Sequence, residues 1–164
     1  MVIFMKIYLA SSWKNKKEVR ELAEQLMVLS FVEVDDFTDP SLGRYVFSWD
    51  DLEDEYKNIL GKVIPSSSYA QAIKFVQDER AIRAFKEDIN QVRGSDVLIL
   101  ILPCGRSAHT EFGYAAAKGK KLIVYAPDGF KTEDCEVMYN FADLMTYSLA
   151  EIYQKLKEWQ WGEC

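Results

Sequence analysis

From Leu98 to Leu102 the chain runs through five aliphatic residues without a polar break, then meets Pro103 and a small polar turn. A strand that is apolar on both sides has no solvent face, so it must lie inside a sheet covered by helices above and below. The rest of the chain carries the matching pattern. Residues 3–10 read as a first buried strand. The segment from Asn15 to about Leu29 places Val19, Leu22, Ala23, Leu26 and Leu29 on one helical face. Phe31 to Phe37 is a second strand, and strand–helix–strand of this length is a βαβ unit with a right-handed crossover.

Farther on, a long helix is expected from about Tyr69 to Arg93, with Ile73, Val76, Ile82, Phe85, Ile89 and Val92 inward and Gly94 as its stop. Asp96 to Leu102 is the third strand, 108–118 the next helix with Gly119 as its cap, and 120–126 the fourth strand. A short helix over 135–141, a short strand over 144–146 and a closing helix over 149–159 complete the series. These elements predict an α/β fold: a flavodoxin-like or Rossmann-like open parallel sheet of five strands with helices on both faces. Residues 1–164 form a single domain on this reading. Its one irregularity is an insertion at about 38–68, which holds Pro40, Gly43, Gly61, Pro65 and a run of serines together with Tyr45, Phe47, Trp49 and Tyr56. Two readings of the insertion stand side by side: a cover over the ligand crevice, with Trp49 as part of a lid, or a segment packed on the surface.

Composition narrows the partners. A formal charge of −6, from 20 Lys and Arg against 26 Asp and Glu, argues against a nucleic-acid polymer. A single His and no CxxC or HExxH pattern leave no basis for a metal site, and no organic cofactor is expected. The cysteines Cys104, Cys135 and Cys164 show no framework spacing, which points to a reducing cytoplasm, and Cys104 reads as a half-buried structural residue. The opening apolar stretch is interrupted by Lys6 and reads as a strand rather than a signal peptide, and no segment has the length of a membrane span. Either Met1 or Met5 can serve as the start.

In an open parallel sheet, ligands bind beyond the carboxyl ends of the strands, at the point where strand order reverses. With strand order 2-1-3-4-5, that point lies between strands 1 and 3, whose ends carry Tyr8, Ser11 and Ser12 on one side and Gly105, Arg106 and Ser107 on the other. Glu111 is expected within the first turn or so of the following helix, where the dipole favours an ionised carboxylate by about 0.3–1 kcal/mol. An ionised, positioned carboxylate in a crevice is what nucleophilic attack at a sugar carbon requires, although a Glu near a helix start also occurs as decoration. Arg106 and His109 either add positive charge to the crevice or lie on the surface. Asp88 falls at the border of the inward face of the long helix, with Glu87 as its competitor. Paired carboxylates are the usual equipment of glycosidic chemistry.

Taken together, these residues resemble the nucleoside 2-deoxyribosyltransferase family and its relatives, the nucleotide N-glycosidases. The resemblance spans most of the chain: Ile7 to Trp13, the Asp88 helix, Thr110 to Ala115 with Gly119 and Lys120, and Glu136 to Tyr139. It implies that Glu111 is the nucleophile at C1′ of the (deoxy)ribose, that Tyr8 orients it, and that Asp88 contacts the base or helps to protonate it. It implies further that Gly113 permits close packing. The candidate substrate-binding residues are Ser11, Ser12 and Trp13 after strand 1 and Gly105, Arg106, Ser107 and His109 before Glu111, the latter group richer in phosphate-friendly groups than a transferase requires. The segment with Glu136 and Met138 is implied to enter a neighbouring subunit's site, making the protein a homo-oligomer with sites near the interface. Two positions depart from the family's pattern: Gly105 stands where transferases often carry an Asp, and Glu136 where they carry an amide.

The function expected is cleavage of the N-glycosidic bond of a nucleoside or nucleoside monophosphate, with transfer to another base or to water. The alternatives are a non-catalytic nucleotide-binding or signalling module, and an NAD glycohydrolase-like enzyme.

Overall fold

The computed structural model describes residues 4–39 and 69–162, together with positions 41, 45, 47, 48, 52 and 56. Its sheet is built from β1 (Met5–Ala10), β2 (Val32–Asp35), β3 (Val97–Ile101), β4 (Lys121–Tyr125) and β5 (Leu144–Thr146). All neighbouring strands are parallel, in the order β2-β1-β3-β4-β5. The sheet therefore matches the expected one, and every residue of β3 is buried.

Side chains alternate across the strands. Ile7, Leu9, Val97, Ile99 and Ile123 point to one face, where α1 (Lys16–Met27) brings Val19, Leu22 and Leu26 and α5 (Leu149–Trp161) brings Ile152 and Leu156. Tyr8, Ala10, Leu98, Leu100 and Val124 point to the other face, under the two central helices. These are α3 (Glu79–Gly94) and α4 (Arg106–Ala117). Gly119 follows α4 with φ +67°, a conformation that suits glycine, and the Lys120 N–H closes the helix on the Ala115 carbonyl at 3.1 Å.

Several element boundaries differ from the sequence expectation. The helix expected over 69–93 is two helices, α2 (Tyr69–Val76) and α3, separated where Asp78 caps α3 by accepting a hydrogen bond from the Arg80 N–H at 3.0 Å. The Arg80 side chain, hydrogen-bonded to the same carboxylate at 2.9 Å, is the main reason its pKa falls to about 2. The inward face of α3 is also different. Ala81, Ala84 and Val92 are buried, whereas Ile82 and Phe85 are exposed. Small residues let α3 approach the sheet and α4, and the bulky stripe turns aside. A 3-10 turn at Trp13–Asn15 precedes α1, and another at Val137–Phe141 stands where a short helix was expected.

Parts of the insertion are pinned to α2 and α3. The Arg83 guanidinium lies 4.2 Å from the centre of the Tyr45 ring, and Tyr56 donates to Asp78 at 3.2 Å while packing edge-on against Phe75. Trp49, the glycines and prolines of this segment and its serines 66–68 lie outside the described residues, as does the Met1 end. Among the described residues, no helix is long and apolar enough to cross a membrane.

Candidate active site

Strand alternation buries Tyr8 on the α3/α4 face, and its ring fixes the direction in which its hydroxyl emerges. That hydroxyl donates to Glu111 Oε2 at 3.1 Å, across 103 positions of sequence. Glu111 is half-buried. Its placement on α4 corrects the sequence reading: the helix begins at Arg106 with Gly105 as N-cap, not around Ala108, so Glu111 sits in the second turn. The dipole's influence falls off within the first turn. The Tyr8 phenol, rooted in the buried strand, is a donor to this carboxylate.

Asp88 lies on the same stripe of α3 as Ala81, Ala84 and Val92, spaced at three to four residues, and is half-buried. Between α3 and α4 is a cavity of about 480 Å³ that Asp88 and Glu111 both line, with Arg106, Ser107 and Thr110. Phe47, Ile82, Phe85 and Ile89 add apolar lining. Glu87, the competitor of Asp88, lines an outer groove instead, with Glu79, Arg83 and Lys86.

The remaining predicted residues do not line this cavity. Ser11 Oγ donates to the Ile101 carbonyl at 2.9 Å and accepts from Asn15 Nδ2 at 3.0 Å, and the same amide reaches the Pro103 carbonyl. It thus ties the ends of β1 and β3 together. Ser12 caps the 3-10 turn by accepting from the Lys14 N–H, and Trp13 packs edge-on against Phe37 with centroids 5.5 Å apart. Gly105 caps α4, and its carbonyl lies 2.9 Å from His109 Nδ1.

His109 turns toward the 137–141 turn. Its Nε2 is 2.9 Å from the Tyr139 hydroxyl, and the two rings are nearly parallel at 5.8 Å. The network assigns the Nδ1 proton to Gly105 O, with Nε2 accepting from Tyr139. Cys104 Sγ lies 3.5 and 3.8 Å from the two ring nitrogens. Cys104 is half-buried, as expected.

Glu136 is exposed, and Met138 (52% exposed) shares the surface of its turn with Val137 and Phe141. A Cβ at Gly113 meets nothing within 4 Å, so close packing is not the reason for that glycine. Two kinds of cavity residue were missed from sequence. Thr110 gives no local signal beyond its place beside Glu111. Ile82, Phe85 and Ile89 form a helical stripe that reads as core, since periodicity does not distinguish a packed face from a cavity wall. Phe47, one of the aromatics of the insertion, also lines the cavity.

The fold and site define a class: an open parallel α/β sheet with a carboxylate-bearing cavity on its β1/β3 face. In fold, the chain is similar to the 2-deoxyribosyltransferase of Bacillus psychrosaccharolyticus, at 19% identity and a TM-score of 0.54, covering 90% of this chain and 89% of that one. A second similar structure is the CMP N-glycosidase of Clostridium botulinum, at 17% identity and a TM-score of 0.43, covering 93% and 98% of the two chains. No protein-family model matches the chain, and no curated protein matches its sequence.

Proposed function

We propose that this protein is an enzyme that cleaves the N-glycosidic bond of a (deoxy)nucleoside or nucleoside monophosphate, with Glu111 as nucleophile. The observation that carries the reading is the Tyr8–Glu111 hydrogen bond of 3.1 Å beside a cavity that also holds Asp88. A carboxylate aimed by a fixed donor is set for in-line attack, and a second carboxyl group serves the departing base. The 2-deoxyribosyltransferase that shares the fold supports the same choice of chemistry.

In the first step, the C1′–N bond breaks and its electron pair leaves with the base, which takes a proton. A Glu111 oxygen bonds to C1′ through an oxocarbenium-like transition state. In the second step, water or another base attacks C1′ and restores the Glu111 carboxylate, giving net retention. Asp88 contacts the base or supplies its proton. Arg106 and Ser107, on the same cavity, suit a 5′-phosphate, which favours a monophosphate over a bare nucleoside. Exclusion of water decides between transfer and hydrolysis, and Phe47 belongs to the cover that governs it.

Two further readings accompany this proposal. The exposed Val137, Met138 and Phe141 support a homo-oligomer in which this turn meets a neighbouring copy near its site. The thiols of Cys104 and Cys135 support a cytoplasmic setting.

The test is chromatography of free bases after incubation with deoxynucleosides and deoxynucleoside monophosphates, with and without an acceptor base. Wild type is expected to release or exchange base, and Glu111→Gln to lose at least about 10³-fold in kcat with its fold intact. Full activity in Glu111→Gln sinks the mechanism. Ligand-induced thermal stabilisation without any free base identifies a binding module, and nicotinamide released from NAD identifies the glycohydrolase alternative.

A further inference from the structure

The two helices that carry Glu111 and Asp88 end on the same residue. α4 stops when Gly119 takes its left-handed conformation and the Lys120 N–H returns to the Ala115 carbonyl at 3.1 Å. The Lys120 side chain then crosses to α3, where Nζ donates to the Arg93 carbonyl at 2.8 Å and the Ser95 carbonyl at 2.6 Å. Such carbonyls lack helical partners, and at a helix carboxyl end they favour a cation. A second tie lies beside the first. Arg93 Nε donates to the Tyr114 hydroxyl at 2.7 Å, and Tyr114 is one turn beyond Glu111 on α4.

We infer that Lys120 is a positioning residue that sets the separation of the Asp88 and Glu111 carboxylates. It touches no substrate, because it lies past the carboxyl end of α4, whose last residue Ala117 is about 9 Å along the axis from Glu111, and it does not line the cavity. Its leverage comes from where the clamp sits. It joins the carboxyl ends of the two helices, whereas the amino half of α3 packs only through the small Ala81 and Ala84 and leaves Ile82 and Phe85 exposed at the cavity. The reacting geometry of a carboxylate pair tolerates little: a displacement on the order of 1 Å costs up to about 10²-fold in rate. This inference rests on the reading of Glu111 and Asp88 as a working pair.

The test compares wild type, Lys120→Met, which keeps the stem and loses the ammonium, and Lys120→Arg, which restores a cation. The first readout needs no turnover. The ¹³C titration of the Glu111 side-chain carboxyl is recorded with and without Asp88→Asn in each background. The displacement caused by Asp88→Asn measures how strongly the two carboxyl groups feel one another, which depends on their distance. That displacement is expected to fall by at least half in Lys120→Met and to persist in Lys120→Arg. An unchanged displacement in Lys120→Met overturns the inference.

The second readout is kinetic, with deoxycytidine and deoxyadenosine 5′-monophosphates assayed singly. Lys120→Met is expected to lose about tenfold in kcat with KM within twofold, and Lys120→Arg to recover most of it. An unchanged kcat also overturns the inference. If Lys120→Met does not fold, Tyr114→Phe, which removes the neighbouring tie, is read by the same titration and the same criteria. Absence of base release from wild type defeats the proposed function instead, and the titration still decides the fate of the clamp.

Discussion

The two faces of the sheet are made from the same strands, yet among the described residues they are packed differently, one filled and one bearing the cavity that Glu111 and Asp88 line. On the α1/α5 side, Ile7, Leu9, Ile99 and Ile123 meet Leu22, Leu26, Ile152 and Leu156, and large aliphatic groups fill the space. On the α3/α4 side, the helices approach through Ala81, Ala84, Ala108 and Ala115, and a phenol takes an aliphatic position in the strand layer. Small residues at the contacts keep the helices close to the sheet. The bulky side chains of α3 are left to line a cavity, together with polar groups of α4. Filling volume gives a stable face, and arranging the large residues around a gap gives one that can hold a ligand.

The largest contrast between the faces should appear in stability. Leu26→Ala, at a fully buried position of the filled face, is expected to cost about 2–5 kcal/mol. Ile82→Ala, on the cavity wall, should cost less than about 1 kcal/mol, because its side chain already borders open space. Urea denaturation of both variants measures the difference, and equal losses break the comparison.

A smaller effect is expected from Tyr8→Phe, which keeps the ring and removes only the hydroxyl. Its stability should change by no more than about 1 kcal/mol, while kcat falls at least about tenfold because the Glu111 carboxylate loses its donor. Wild-type kcat with the stability loss of a core substitution would assign Tyr8 to packing alone.

The smallest effect concerns the Asp78 cap, which anchors the amino end of α3. Its folded pKa is depressed to about 2 from an ordinary value of 3.8, chiefly by the Arg80 hydrogen bond. A depressed carboxylate pKa contributes stability that is fully present above the unfolded value and is lost as pH falls through the folded one. Asp78→Asn should therefore be less stable than wild type at pH 6. The gap should narrow below pH 3.8 and close near pH 2, as read from urea midpoints across that range.

The central strands were legible because Leu98 to Leu102 leaves no polar face. Once strand order was taken as 2-1-3-4-5, Tyr8 and Glu111 fell on one crevice. The start of α4 was not legible to the residue. Its N-cap is Gly105, whose lack of a capping side chain removes the signal that Ser, Thr, Asp or Asn would give. The break before α3 did leave a trace, since Asp78 followed by Glu79 is an N-terminal pattern set inside an otherwise continuous helical periodicity. His109 and Ser11 were expected at the crevice, and neither lines the cavity. Their partners, Tyr139 at one and the Ile101 carbonyl at the other, come from distant segments and have no local signature.

The Tyr8 anchor separates two jobs that one loop could otherwise have shared. The residue that aims Glu111 is rooted in the second position of no loop but in the buried layer of β1, whereas Phe47 reaches the cavity from the insertion. A change at Phe47 therefore reshapes the cavity wall, while the hydrogen bond to the Glu111 carboxylate stays with the sheet.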